Sequence, residues 1–246
     1  MGGGGLVLLG AAFLCWVDAG LVVAAAVALL AAILQQTEIA VGMIWGTVAM
    51  RLISLRSRNW ADWVGLAAGG LGTLWGGWHG GLGRFGGLAL IVIGLIIAWE
   101  RLRQAPQPTP KTRTGWRGWL GIILGTVAVG GGAWVLLGGV DVAAAMVGLP
   151  MGMFAVMIMA PCFAVATRLM RRRNVGGDWW LPTMGLGLCA LVAGGCDVTV
   201  STWQVVLPFV AVLALLQLIA SKQKTARWWG GVAVALYVVM VIGLWW

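Results

Sequence analysis

The chain is a succession of long apolar runs, with nearly all of its charge held in the short stretches between them. The runs cover residues 6–34, 38–55, 61–80, 85–100, 118–138, 142–167, 180–198, 203–220 and 228–246. A helix needs about 20 apolar residues to cross roughly 30 Å of hydrocarbon. The pattern therefore predicts an all-α chain, a polytopic transmembrane helical bundle of about nine spans. Composition points the same way. Of the 246 residues 61% are hydrophobic and 9% charged, against about 25% charged in a soluble domain.

Lys and Arg near span ends stay on the cytoplasmic side. They fall in four loops, Arg51–Arg58, Arg101–Arg117, Arg168–Arg173 and Lys222–Arg227, which together hold all of them except Arg84. Two runs separate each basic loop from the next, so a single topology gathers all four on one face: N-terminus inside, C-terminus outside, in the cell inner membrane. The net charge of +9 is then a topology signal, and no nucleic-acid partner is expected. The opening Met-Gly-Gly-Gly-Gly has no basic n-region, so the first run is expected to remain in the mature protein. Leu6 breaks the myristoylation pattern. Tryptophans gather near run ends, as at Trp60 and Trp63 or Trp228 and Trp229, where indoles favour the headgroup level.

Pro106, Pro108 and Pro110 forbid helix in the main hydrophilic stretch and divide the chain. The division predicts a four-helix unit over 1–104, a cytoplasmic linker over 105–117, a second four-helix unit over 118–222 and an extra C-terminal helix over 223–246. The halves echo each other. Val48-Ala49-Met50-Arg51-Leu52, a basic turn, Asn59 and Asp62-Trp63 correspond to Val165-Ala166-Thr167-Arg168-Leu169, a basic turn, Asn174 and Asp178-Trp179. Gly76-Gly77 is matched with Gly194-Gly195, and Val17-Asp18-Ala19 with Val140-Asp141-Val142. Four spans per unit is an even number, so the copies share an orientation and form a parallel repeat.

Those repeated segments resemble the TauE/SafE family of sulfite and organosulfur-anion exporters, whose members have eight or nine spans in two four-span repeats. The resemblance implies an exporter of a small anion. The glycine stretch that the family carries in each repeat's first helix survives here only in part, around Cys15–Gly20 and Gly138–Val142, with Pro150 near the family's proline.

Ionisable groups inside a bilayer are costly and face an interior cavity. Asp18 lies deep in its run, which makes it the leading candidate for proton or cation coupling, with Asp141 and Asp197 beside it. A desolvated carboxyl can load and release a proton. The alternative for Asp18 is a protonated carboxyl that only helps helices pack. For Asp141 and Asp197 it is an outer turn. No Lys or Arg stands at membrane depth, so an anion would rely on backbone N–H groups at helix breaks. Gly20, Gly138, Gly139, Gly148 and Pro150 are the candidate break and substrate-path residues. Glu38 reads as an outer surface turn, His79 as interfacial and Glu100 as an interfacial ion pair. Cys15, Cys162, Cys189 and Cys196 lack metal-site or disulfide spacing, and the methionines from Met146 to Met159 read as packing rather than a copper site. No metal, cofactor or catalytic residue is expected.

Three function classes remain. A secondary transporter of a small molecule or ion is favoured by the repeat, Asp18 and the resemblance. A non-transporting subunit of a larger membrane complex is favoured by the eroded glycines. A membrane enzyme is disfavoured by the single His and the lack of convergent polar groups. Expected partners are the lipid bilayer, the solute, and a homo-oligomer or larger complex.

Overall fold

The helices end where a residue can take the left-handed conformation. In a computed structural model describing residues 19–53, 60–104, 116–161, 180–198, 204, 206–221 and 226–243, these ends organise the whole chain. Helix α1 (Ala19–Ile33) stops at Gln35, which adopts φ 61°. The Gln35 N–H donates to the Ala32 carbonyl and the Gln36 N–H to the Ala31 carbonyl, the paired bonds of a Schellman turn. Helix α2 (Thr37–Ile53) follows at once. Helix α3 (Trp60–His79) ends at Gly80, φ 80°, and leads through strand β1 (Leu82–Gly83) to α4 (Arg84–Gln104).

The second half repeats the device. Helix α5 (Trp116–Val147) ends at Gly148, φ 73°, with the Gly148 N–H on the Ala145 carbonyl and the Leu149 N–H on the Ala144 carbonyl. Pro150 cannot continue a helix into its own N–H, and α6 (Met151–Phe154) starts behind it, running into a π-helical turn at Ala155–Met159. A second π-turn at Leu181–Gly185 opens α7 (Leu186–Ala193), which Gly194 closes at φ 82° before strand β2 (Gly195–Cys196). Helices α8 (Leu207–Ser221) and α9 (Ala226–Gly243) complete the described chain. Among the described residues the architecture is all-α apart from two short strands.

One sequence offset relates these parts. Gly80 and Gly194 are 114 residues apart, as are the starts of α2 and α6 at Thr37 and Met151; Gln35 and Gly148 are 113 apart. Residues separated by 114 also touch. Strands β1 and β2 pair antiparallel with Leu82 opposite Cys196. A Cβ at Gly152 would lie 3.3 Å from the Glu38 carbonyl oxygen, and a Cβ at Gly46 would lie 2.7 Å from the Ala160 Cβ. Equivalent residues that face each other at three levels define a local two-fold axis between α2 and α6.

Helix α2 sits at this axis, with thirteen of its 17 residues buried. It packs against α1, α6 and α8. A Cβ at Gly42 would clash with the Gly152 carbonyl oxygen, so only glycine allows α2 and α6 to lie this close. Helices α4 and α7 cross the same way: a Cβ at Gly187 would lie 2.6 Å from the Gly87 carbonyl oxygen.

The helix boundaries differ from expectation in one place. Gly138 and Gly139 lie inside the 32-residue α5 rather than in a turn, and the break comes at Gly148. Both glycines keep helical backbone with open space around them; a stop needs a residue in the left-handed region, which Gly148 supplies. The offset also re-pairs one position: the left-handed Gly194 matches Gly80, not Gly76. Asp18, matched with Asp141 in the sequence, lies outside the described residues. Among the described residues, no helix is both long and apolar enough to cross a membrane. The 20-residue α3 illustrates why: glycine takes up much of its length, and Asp62 and His79 lie near its ends.

Gly42→Ala is expected to destabilise the protein by about 1–3 kcal/mol through overpacking. Gly139→Ala, in open space, should be neutral or stabilising by up to about 1 kcal/mol. Thermal unfolding of the purified variants checks both.

Candidate functional site

The two-fold axis brings a polar seam into the core. Trp45, on α2, is the largest fully buried side chain. Its Nε1–H donates to the Thr73 hydroxyl of α3 at 3.0 Å, and that hydroxyl donates onward to the Gly69 carbonyl at 2.9 Å. Thr73 can do this because a helical threonine reaches the carbonyl four residues back. Gly69 in turn lies against the Pro182 carbonyl in the π-turn of α7, where any Cβ would clash. Thr183 is fully buried beside it and donates to the Trp180 carbonyl at 3.4 Å. Two residues beyond Trp45, and so about 200° around α2, the Thr47 hydroxyl is buried with no hydrogen-bond partner among the described residues.

The π-turns have a local cause. Pro161 has no N–H to give the Met157 carbonyl four residues back. Tyr237, the only tyrosine, reaches across from α9 and donates its hydroxyl to that carbonyl at 3.1 Å. Wide turns of this kind leave backbone groups open to side chains, and they recur at functional sites.

The residues singled out from the sequence are dispersed. Asp18 lies outside the described residues. Gly20 falls in the first turn of α1 and Asp141 within α5. Asp197 is exposed just after β2, at the tip formed by the two strands rather than in the seam, and its backbone N–H donates to the Thr37 hydroxyl at 3.3 Å. Gly138 and Gly139 lie on the exposed side of α5, whereas Gly148 and Pro150 form the break before α6. That break does approach the axis, because Gly152 packs on Glu38. Glu38 is thus half-buried in the first turn of α2 rather than in a free surface turn.

Three seam residues escaped the sequence reading, Trp45, Thr73 and Thr183, and so did the buried Thr47 on α2. The available signal was a hydroxyl in mid-run, which is harder to see than a charge. Asp62 was read only as a repeat marker, yet the residue is buried, 4% exposed, in the first turn of α3. Among the described residues, no group of three or more His, Cys, Asp or Glu could hold a metal ion. Trp45, Thr73 and Thr183 use their donors within the protein, and among the described residues the seam holds no acid–base group. No family model, curated protein or solved structure matches the chain.

Thr73→Val should cost about 1–3 kcal/mol by leaving the Trp45 indole N–H buried without an acceptor. Adding Trp45→Phe should return part of that loss, and the double-mutant cycle from thermal unfolding measures the coupling.

Proposed function

We propose that the chain is an integral membrane transporter similar to the TauE/SafE exporters. In this reading it is a nine-span bundle of two parallel four-helix repeats plus a C-terminal helix, moving a small anion with proton or cation coupling. The observation that carries the reading is the two-fold contact of residues 114 apart across α2 and α6, with a buried polar seam beside it. Same-orientation repeats that meet at a polar interface suit alternating access about a central site.

The outer surface supports lipid as the medium. Along α4, Leu88, Val92, Leu95, Ile96 and Trp99 form one exposed helical stripe, while Gly87 and Gly94 face inward. Phe85 is 90% exposed and Trp78 83% exposed. This reverses the arrangement that water imposes, and small residues at the helix contacts are the usual membrane solution. Glycine lowers the hydropathy of α3 without adding anything polar to its sides, which reconciles its low apolarity with this medium. The accessory-subunit reading draws on the same seam, since Thr73 already uses its hydroxyl internally.

In vesicles containing the purified chain, sulfite should cross in a saturable manner, faster with a pH gradient. Asp18→Asn should abolish the gradient dependence; unchanged dependence removes Asp18 from the mechanism. Absence of flux together with a stoichiometric partner surviving detergent would favour the accessory subunit.

A further inference from the structure

The wide turn of α6 leaves two carbonyls short of a donor from their own helix. In the π-turn the Ala160 N–H donates to the Ala155 carbonyl, five residues back. At that spacing the Val156 carbonyl would take the next N–H, but the next residue is Pro161, which has none. At the α spacing its donor would be Ala160, whose N–H is already used. The Met157 carbonyl loses its α-spaced donor to the same proline. Both residues are buried, where an unmet carbonyl is costly.

The two carbonyls meet different neighbours. That of Val156 lies against α2, 3.2 Å from where a Cβ on Gly46 would stand. That of Met157 takes the Tyr237 hydroxyl of α9 at 3.1 Å. The Tyr237 ring is seated beside Phe209 of α8, with centroids 6.0 Å apart, and α9 packs along α8. A brace from another helix therefore grips α6 at the turn that its own backbone cannot close. Helix α2 needs no such brace. Thr47 stands 114 residues before Pro161 and has the N–H that the proline lacks, and α2 stays regular throughout.

We propose that Tyr237 is a latch: through its hydroxyl, the C-terminal helix α9 holds the wide turn of α6 in place, and with it the fit of α6 on α2. The turn is the joint because helices bend where a proline or a π-turn interrupts them, and here the two coincide. Val156 and Ala160 both lie against Gly46, so opening of the turn loosens the contact between the two halves. The latch works whether or not the chain moves a solute, and whatever medium surrounds it.

Hydrogen exchange of the purified full-length chain in detergent, read by peptide mass spectrometry, tests the latch. Tyr237→Phe removes the hydroxyl and keeps the ring beside Phe209. It should speed exchange over residues 155–160 several-fold while peptides of α4 exchange as in the wild type. Pro161→Ala restores the N–H that the turn lacks, so adding Tyr237→Phe to that variant should bring no further change. Unchanged exchange over residues 155–160 in Tyr237→Phe would overturn the latch. So would a rise shared equally by α4, which marks a general loss of packing. The same rise in the Pro161→Ala background would overturn it too, since the hydroxyl would then not be replacing the proline's missing N–H.

Discussion

The close approach of α2 to α6 is the constraint on which the rest depends. Gly42, Gly46 and Gly152 let two helix backbones meet where any side chain would clash. Because Gly46 touches Ala160 and Glu38 touches Gly152, each pair 114 residues apart, the contact lies on the two-fold relation itself. The pairing of Leu82 with Cys196 continues that relation to the strand pair. Dispersion between well-fitted surfaces holds such contacts, and it needs no water to drive it.

Packing this tight leaves backbone groups to be satisfied, and the chain does so with few devices. Left-handed residues at Gln35, Gly80, Gly148 and Gly194 fold the ends of α1, α3, α5 and α7 back on their own carbonyls. In the second half the prolines force wide turns, and the Tyr237 hydroxyl supplies what Pro161 withholds. The first half has regular helix at the corresponding positions of α2 and α3. The halves are therefore alike in outline and unlike in the seam, where Trp45 and Thr73 stand on one side and Pro182 and Thr183 on the other.

Most of the helical outline was legible in the sequence. The apolar runs placed α2, α3, α8 and α9 to within a few residues, because loop charges mark helix ends clearly. The boundary at Gly138–Gly139 was misplaced because glycine alone does not stop a helix; both stay helical, and the stop comes at the left-handed Gly148. The match of Gly76 with Gly194 followed a short shared string, whereas the offset of 114 is set by left-handed turns such as Gly80 and Gly194 that a string does not reveal. The seam was hidden for a different reason. Its residues are ordinary threonines and a tryptophan, and only the close approach of Gly69 to Pro182 makes them neighbours of the axis.

Orientation is the most direct test of the account, since a two-fold along the helix direction requires both halves to face the same way. In a chain whose native cysteines are replaced, single cysteines at Ser57, Gly83, Met170 and Asp197 can be labelled with an impermeant maleimide. The account predicts that Gly83→Cys and Asp197→Cys react from outside, and that Ser57→Cys and Met170→Cys react only once the membrane is opened. Labelling of Ser57→Cys and Met170→Cys from opposite sides would contradict it.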